Sequence, residues 1–256
     1  QRPVILTRTG AVNQRLALRF SKLGFRTFAW PAFTIRLPED ETPVVKRFSD
    51  LSDIDLVLLV SPASVAAVAH WVDHWPSHVT LATVGEGTAR VARAAWGESV
   101  PIIYPAGDAA HSGSEALMAE LRKRGIPSRV LICRGQTGRE WLSEELLSEG
   151  ADVQKLMCYE RLPLQLTVLQ EDELREAMKG PAPVTYITSS EAIVSLLRAV
   201  HPVEGAWEWI TSGAAVVIHP RSESKVLEAG FHLVRMSSPI DDEVEKNVIA
   251  CAEGLG

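Results

Sequence analysis

Two arginines and a set of small hydroxyl residues stand at matching places along this sequence. Arg8 closes the apolar run "VILTR" and Arg134 closes "VLICR". A guanidinium at the end of a strand can hold a carboxylate through charge-assisted hydrogen bonds of about 1.5–3 kcal/mol each. Ser61, Thr88, Thr188, Ser189, Ser190 and Ser222 fall where short apolar runs give way to helical stretches. Hydroxyls there cap helix N-termini, and the same orphan N–H groups bind carboxylates, so the two roles are compatible. These residue types suit an anionic ligand held by local donors.

Other chemistries lack their parts. "VGEGTAR" (84–90) carries G-x-G without the third glycine of a dinucleotide site, and the related stretch further on has His219 and Arg221 instead. "RGQTGRE" (134–140) lacks the Gly-Lys-Ser/Thr ending of a P-loop. His70 and His74 share a helical face, but no metalloprotease glutamate lies between them and Pro76 stops the helix, which points to a solvated helix end. Cys133, Cys158 and Cys251 form no C-x-x-C pair and suit small buried positions. No Ser-His-Asp or Cys-His signature is present, and we expect neither metal nor cofactor.

The 256 residues, 46% hydrophobic, suffice for two ordinary cores. A net charge of −6 gives no general basic field for nucleic acid or anionic membrane. The longest apolar runs, such as "LVLLV" (56–60), are too short to span a bilayer, and no charged-then-apolar leader opens the sequence. A soluble cytoplasmic protein is expected.

The elements that must position these residues come in two copies. Arg8 and Arg134, Leu16 and Leu142, and Gly24 and Gly150 each stand 126 positions apart. "DLVLLVSPASVAAVA" (55–69) matches "PVTYITSSEAIVSLL" (183–197) at an offset of 128, and Thr88 matches Ser222 at 134. Offsets that grow slowly in one direction are what loop insertions do to a duplicated domain. Within each copy, apolar strands alternate with helices that begin at Ser or Gly and stop at Gly, which predicts two similar parallel-sheet α/β domains with a ligand cleft between them. "GFRTFAWPAFTIRLP" (24–38) and "GADVQKLMCYERLP" (150–163) echo each other after the first helix of each copy. Pro31, Pro38 and Pro163 mark these segments as edge or connecting strands.

Taken in order, "VILTR", "LVSPASVAAV", "TVGEGTA", "GSEAL" (113–117), "RGQTGREWLSEELLSEGADV" and "CYERLP" make the chain resemble the uroporphyrinogen-III synthase family over nearly its whole length. The resemblance implies cyclisation of linear hydroxymethylbilane to uroporphyrinogen III, a lyase reaction with loss of water and inversion of ring D, without cofactor or metal. It implies a chain that crosses over twice: residues 1–30 with 165–256 form one discontinuous domain, 39–154 the other, and 31–38 with 155–164 the connecting strands. It also implies that Tyr159 donates the proton that assists water departure, a phenol being protonated at neutral pH. Arg8, Ser61, Thr88, Arg134, Thr188, Ser189, Ser190 and Ser222 are then the candidates to hold the substrate's carboxylates. The expected partners are the linear tetrapyrrole and, transiently, the enzyme preceding it in the pathway. A two-lobed small-molecule binding protein without catalysis is the alternative from a different class.

Overall fold

A computed structural model describes residues 1–105, 113–136, 138 and 140–254. Thr137 and Arg139 of the "RGQTGRE" stretch lie outside the described residues. The chain begins with β1 (Val4–Leu6), α1 (Ala11–Lys22), β2 (Thr27–Ala29) and β3 (Phe33–Arg36). It continues through α2 (Thr42–Ser49), β4 (Leu56–Leu59), α3 (Pro62–Trp71), β5 (Thr80–Thr83), α4 (Glu86–Trp96), β6 (Ile102–Ile103) and α5 (Ser114–Arg124). Then follow β7 (Arg129–Gly135), α6 (Trp141–Ser148), the long β8 (Asp152–Pro163), α7 (Val168–Ala177), β9 (Val184–Ile187) and α8 (Ser190–Val200). The last elements are α9 (Ala206–Thr211), β10 (Ala214–Val217), α10 (Pro220–Glu228), β11 (Leu233–Met236) and α11 (Asp241–Ala252).

The chain divides into two compact units. Unit 1 combines Gln1–Thr34 with Leu162–Gly256, and unit 2 is the continuous stretch Ile35–Arg161. The sheet of unit 1 runs β11-β10-β9-β1-β2, with every neighbouring pair parallel. The second sheet runs β3-β8-β7-β4-β5-β6, and the pairs from β8 to β6 are parallel. Without β3 the two orders match, with β7 and β8 standing for β1 and β2, and β4, β5 and β6 for β9, β10 and β11. The register matches too. Leu6 pairs with Tyr186 in unit 1, and the residues at offsets 126 and 128 from them, Ile132 and Leu58, pair in unit 2. Each unit thus joins the opening strands of one copy to the later strands of the other.

Both faces of each sheet are covered, so the strands are apolar throughout rather than alternating. In unit 1, Ile5, Ile187, Ala215 and Val217 pack on one face, and Val4, Leu6, Tyr186 and Val216 on the other. In unit 2, Val57 and Leu59 face one layer, and Leu56 and Leu58 the other. The helix stops also repeat. Gly24 and Gly150 take φ of +85° and +90°, and behind them Phe25 and Ala151 donate their N–H groups to Phe20 and Leu146. A side chain is disfavoured at such a φ, which is why the pattern breaks at glycine.

Two polar contacts fix the crossover segments inside their own units. In unit 1 the buried Ser195 hydroxyl donates to Ala32 O at 2.6 Å and accepts from Leu164 N–H at 3.0 Å. In unit 2 the Gln136 side chain donates to Arg161 O at 2.9 Å and accepts from Arg161 N–H at 2.8 Å, behaving as one more rung of the β7–β8 ladder.

Candidate active site

In an open parallel sheet, ligands bind outside the carboxyl ends of the strands where the winding direction reverses. In unit 2 that point lies between β4 and β7, since the chain proceeds from β4 to β5 and β6 on one side and from β7 to β8 on the other. A pocket of about 330 Å³ sits there, lined among others by Ser61 after β4, Val84 after β5, Arg134 of β7 and Tyr159 of β8. Ile132 and Leu142 add apolar wall.

Tyr159 is placed by a bulge. The β7–β8 register pairs Arg134 with Met157 and Gly135 with Tyr159, so Cys158 is left without an opposite residue. Such an extra residue re-aims the side chain that follows it. The Tyr159 ring then lies against Gly135: a Cβ at that glycine would stand 2.8 Å from Tyr159 Cε2 and 3.0 Å from Cζ. Gly135 is glycine because the ring occupies the place of its side chain. The phenol oxygen lies 3.2 Å from Ser61 Oγ.

Ser61 is fixed by its position before α3. Its hydroxyl accepts from Ser64 N–H at 3.1 Å, Ser64 Oγ accepts from Ser61 N–H at 3.0 Å, and Pro62 opens the helix. This is a capping box closed by serine rather than Glu or Gln. Arg134 is held from below: it donates to Glu140 Oε1 at 2.7 Å and to Gly138 O at 3.0 Å. Glu140 also takes a hydrogen bond from Lys155 and, at 3.2 Å, from the Ser143 hydroxyl. Its carboxyl is accordingly held down at about 2, first by Lys155 and then by Arg134, against the cost of desolvation. Two cations share one anion, which leaves a local positive charge beside the pocket on a chain of net negative charge.

The remaining sequence candidates divide as follows. Thr88 is packed into the first turn of α4, and that helix is led in by Gly85. Its counterpart Ser222 is equally enclosed within α10, whose N-cap is the His219 imidazole, accepting from Arg221 N–H at 3.1 Å. Neither hydroxyl is presented at the surface. Thr188, Ser189 and Ser190 follow β9 at the corresponding carboxyl edge of unit 1, where Ser189 caps α8 by accepting from Ala192 N–H at 3.2 Å. Arg8 follows β1 at the same edge, donating to Pro239 O at 3.2 Å and lying 4.0 Å from Asp241. Ser61, Arg134 and Tyr159 therefore share one pocket of unit 2, while Arg8 and the 188–190 hydroxyls belong to unit 1. Sequence reasoning missed Gly135, Glu140 and Ser143; the pairing of β7 with β8 brings Tyr159 onto Gly135 and Lys155 with Arg134 to Glu140, and Ser143 of α6 adds a further donor to Glu140. Among the described residues no cluster of three or more metal-ligating side chains occurs, and no helix is long and apolar enough to cross a membrane.

Two doubly wound parallel units, with a phenol and an arginine presented at the switch point of one, define a class: an α/β enzyme whose polar groups are carried at strand ends. A family model described as uroporphyrinogen-III synthase HemD matches residues 14–243. The chain belongs to the uroporphyrinogen-III synthase family. It is 24% identical to the uroporphyrinogen-III synthases of Salmonella typhimurium, over 245 residues, and Escherichia coli, over 248, with 94% of this chain and 96% of each relative covered. The same fold is seen in two solved structures. A mutant uroporphyrinogen III synthase from Thermus thermophilus superposes with a TM-score of 0.60 at 15% identity, covering 99% of this chain and all of that one. Uroporphyrinogen-III synthetase from Helicobacter pylori gives 0.62 at 13% identity, covering 98% and 99%.

Proposed function

We propose that this protein is a lyase of tetrapyrrole biosynthesis that closes hydroxymethylbilane to uroporphyrinogen III, losing water and inverting ring D. The observation that carries this reading is the Tyr159 hydroxyl, held over Gly135 at the mouth of a pocket that also presents Arg134, in a chain of this family.

The chemistry needs a shaped site more than a strong catalyst. When the Tyr159 O–H proton passes to the hydroxyl oxygen of the substrate, the C–O bond breaks and water leaves. The pyrrole nitrogen lone pair supplies the electrons, giving an azafulvene cation and a phenolate. Attack through the substituted α-carbon of ring D forms a spiro intermediate; the old bridge bond to that carbon breaks, leaving a second azafulvene cation on the neighbouring ring, and the other α-carbon of ring D bonds to it. Ring D is thereby inverted, the proton released from that carbon returns to the phenolate, and the net loss is one water. Unaided, the cation closes to the unrearranged isomer. Holding a flexible chain in one near-attack arrangement is worth about 7–11 kcal/mol and decides which bond forms. A pocket of about 330 Å³ suits one pyrrole ring with its acetate and propionate rather than the whole substrate. Arg134 is assigned to one of those carboxylates.

Arg8, Thr188, Ser189 and Ser190 are assigned to other substrate carboxylates, and Thr88 and Ser222 to the turns that supply backbone donors. The strands over 31–38 and 155–164 serve as connectors between the domains formed by 1–30 with 165–256 and by 39–154. A cytoplasmic location, and transient contact with the enzyme that releases the unstable linear substrate, belong to the same reading.

The test supplies freshly made hydroxymethylbilane, oxidises the products and separates the isomers. Isomer III is expected. Isomer I alone, formed at the spontaneous rate, would sink the proposal, and tight binding with no change of isomer would mark a binding protein.

A further inference from the structure

The direction of the hydrogen bond between Ser61 and Tyr159 follows from the neighbouring donors. Among the described residues, Ser61 Oγ at 3.2 Å is the one hydrogen-bond partner of the Tyr159 hydroxyl. Ser64 Oγ commits its single proton to Ser61 O at 2.7 Å and already accepts from Ser61 N–H at 3.0 Å. Ser61 Oγ accepts from Ser64 N–H at 3.1 Å. Among the described residues the proton of the Ser61 hydroxyl is then left with two acceptors. One is Ser64 Oγ at 3.5 Å, at the outer limit of a hydrogen bond, and the other is the Tyr159 oxygen at 3.2 Å.

We propose that Ser61 donates to Tyr159, so that the phenol proton is turned away from Ser61 and into the pocket, toward the oxygen that leaves. Ser61 is thus a positioning residue that acts through Tyr159, and the inference rests on the dehydration proposed above. The same bond serves the step that follows. Once Tyr159 has given up its proton, the phenolate keeps the Ser61 O–H as a donor, at the N-terminus of α3 where negative charge is favoured. Ser61 neither gains nor loses a proton overall; the proton of water departure comes from Tyr159 and returns to it on ring closure.

Capping and donation can be separated, because glycine caps helices nearly as well as serine but has no hydroxyl, while threonine has both functions. Isomer III formation from fresh hydroxymethylbilane is measured for wild type, Ser61→Gly, Ser61→Thr, Tyr159→Phe and Ser61→Gly with Tyr159→Phe, with a thermal melt for each. Ser61→Gly is expected to melt close to wild type and to lower kcat about fivefold at unchanged KM, the size of one lost hydrogen bond. Ser61→Thr is expected to restore kcat, and the double variant to match Tyr159→Phe alone. Wild-type kcat in Ser61→Gly, a slow Ser61→Thr, or two losses that multiply would each overturn the inference. A Tyr159→Phe variant that turns over normally would instead remove the dehydration step itself, and this inference with it.

Discussion

The two units place equivalent residues at equivalent strand ends and fill the space between them differently. In unit 2, Leu58 belongs to one buried cluster with Ile132 and Leu142, which line the pocket. At the matching place in unit 1 stands Tyr186, fully enclosed with Leu6 and Leu16, the counterparts of Ile132 and Leu142. Among the described residues its buried hydroxyl has no partner within ordinary hydrogen-bond geometry; burial pushes the phenol pKa up, and the nearby Arg8 guanidinium opposes this by its charge and as a donor close to the phenol oxygen. The relation inverts one strand over. Tyr159 of unit 2 presents its hydroxyl at the pocket, whereas Phe33, 126 positions earlier, packs against the core of unit 1. Unit 1 therefore encloses its phenol as packing, and unit 2 presents its phenol at a pocket. A duplicated scaffold needs only one or two such exchanges for its two halves to differ at the same strand ends.

That contrast can be broken, beginning with the largest effect. Gly135→Ala is expected to lower kcat about tenfold to a hundredfold, because its Cβ would stand 2.8 Å from the Tyr159 ring and must displace it. Unchanged kinetics would show that the ring position is unimportant. Tyr186→Leu, which gives unit 1 the residue of unit 2, is expected to cost about 2–4 kcal/mol in a urea melt through the cavity it leaves, while turnover per folded molecule stays the same. A loss below about 1 kcal/mol would mean that Tyr186 fills no space that matters.

Glu140→Gln tests the charge beneath the pocket. Since the Glu140 carboxyl is held at about 2 against an ordinary 4.5, the stability it contributes is present above pH 4.5 and disappears as pH falls toward 2. Wild type should outlast the Gln variant at neutral pH and match it near pH 2, as read from melting temperatures. A gap independent of pH would assign the effect to something other than this carboxylate. The smallest change is expected from Tyr186→Phe, which removes a buried hydroxyl without a partner of ordinary hydrogen-bond geometry among the described residues and should shift stability by less than about 1 kcal/mol, with no effect on kcat. A loss above about 2 kcal/mol would reveal a buried partner for that hydroxyl.

Much of the fold was legible because it depends on local signals. Glycines with positive φ stop the first helix of each copy, and the offsets of 126 and 128 carry through to the pairing of Leu6 with Tyr186 and of Ile132 with Leu58. The site was legible only in part. Ser61, Arg134 and Tyr159 could be named from strand ends and resemblance, but Gly135 looked like any turn glycine until β8 was laid beside β7. Thr88 and Ser222 show the limit of residue type: a hydroxyl near a helix start reads as a cap, yet Gly85 and His219 hold those starts and the hydroxyls sit inside. Nothing local distinguished Tyr186 from an ordinary strand aromatic, because its role is defined by the leucine at the same place in the other unit.

The exchange of opening strands sets an order of assembly on the ribosome. Everything unit 2 needs is contiguous, whereas β1, near the middle of the other sheet, must wait for β9, and the Thr7 hydroxyl bonds Tyr186 O across 179 positions. The β1–α1–β2 segment is thus made early and finds its place late, with the β9 edge of β1 unpaired while the inserted half condenses. Chains stalled before β9 emerges should hold a folded unit 2 and a loose β1–β2 segment, and nascent-chain proteolysis would cut first within that segment.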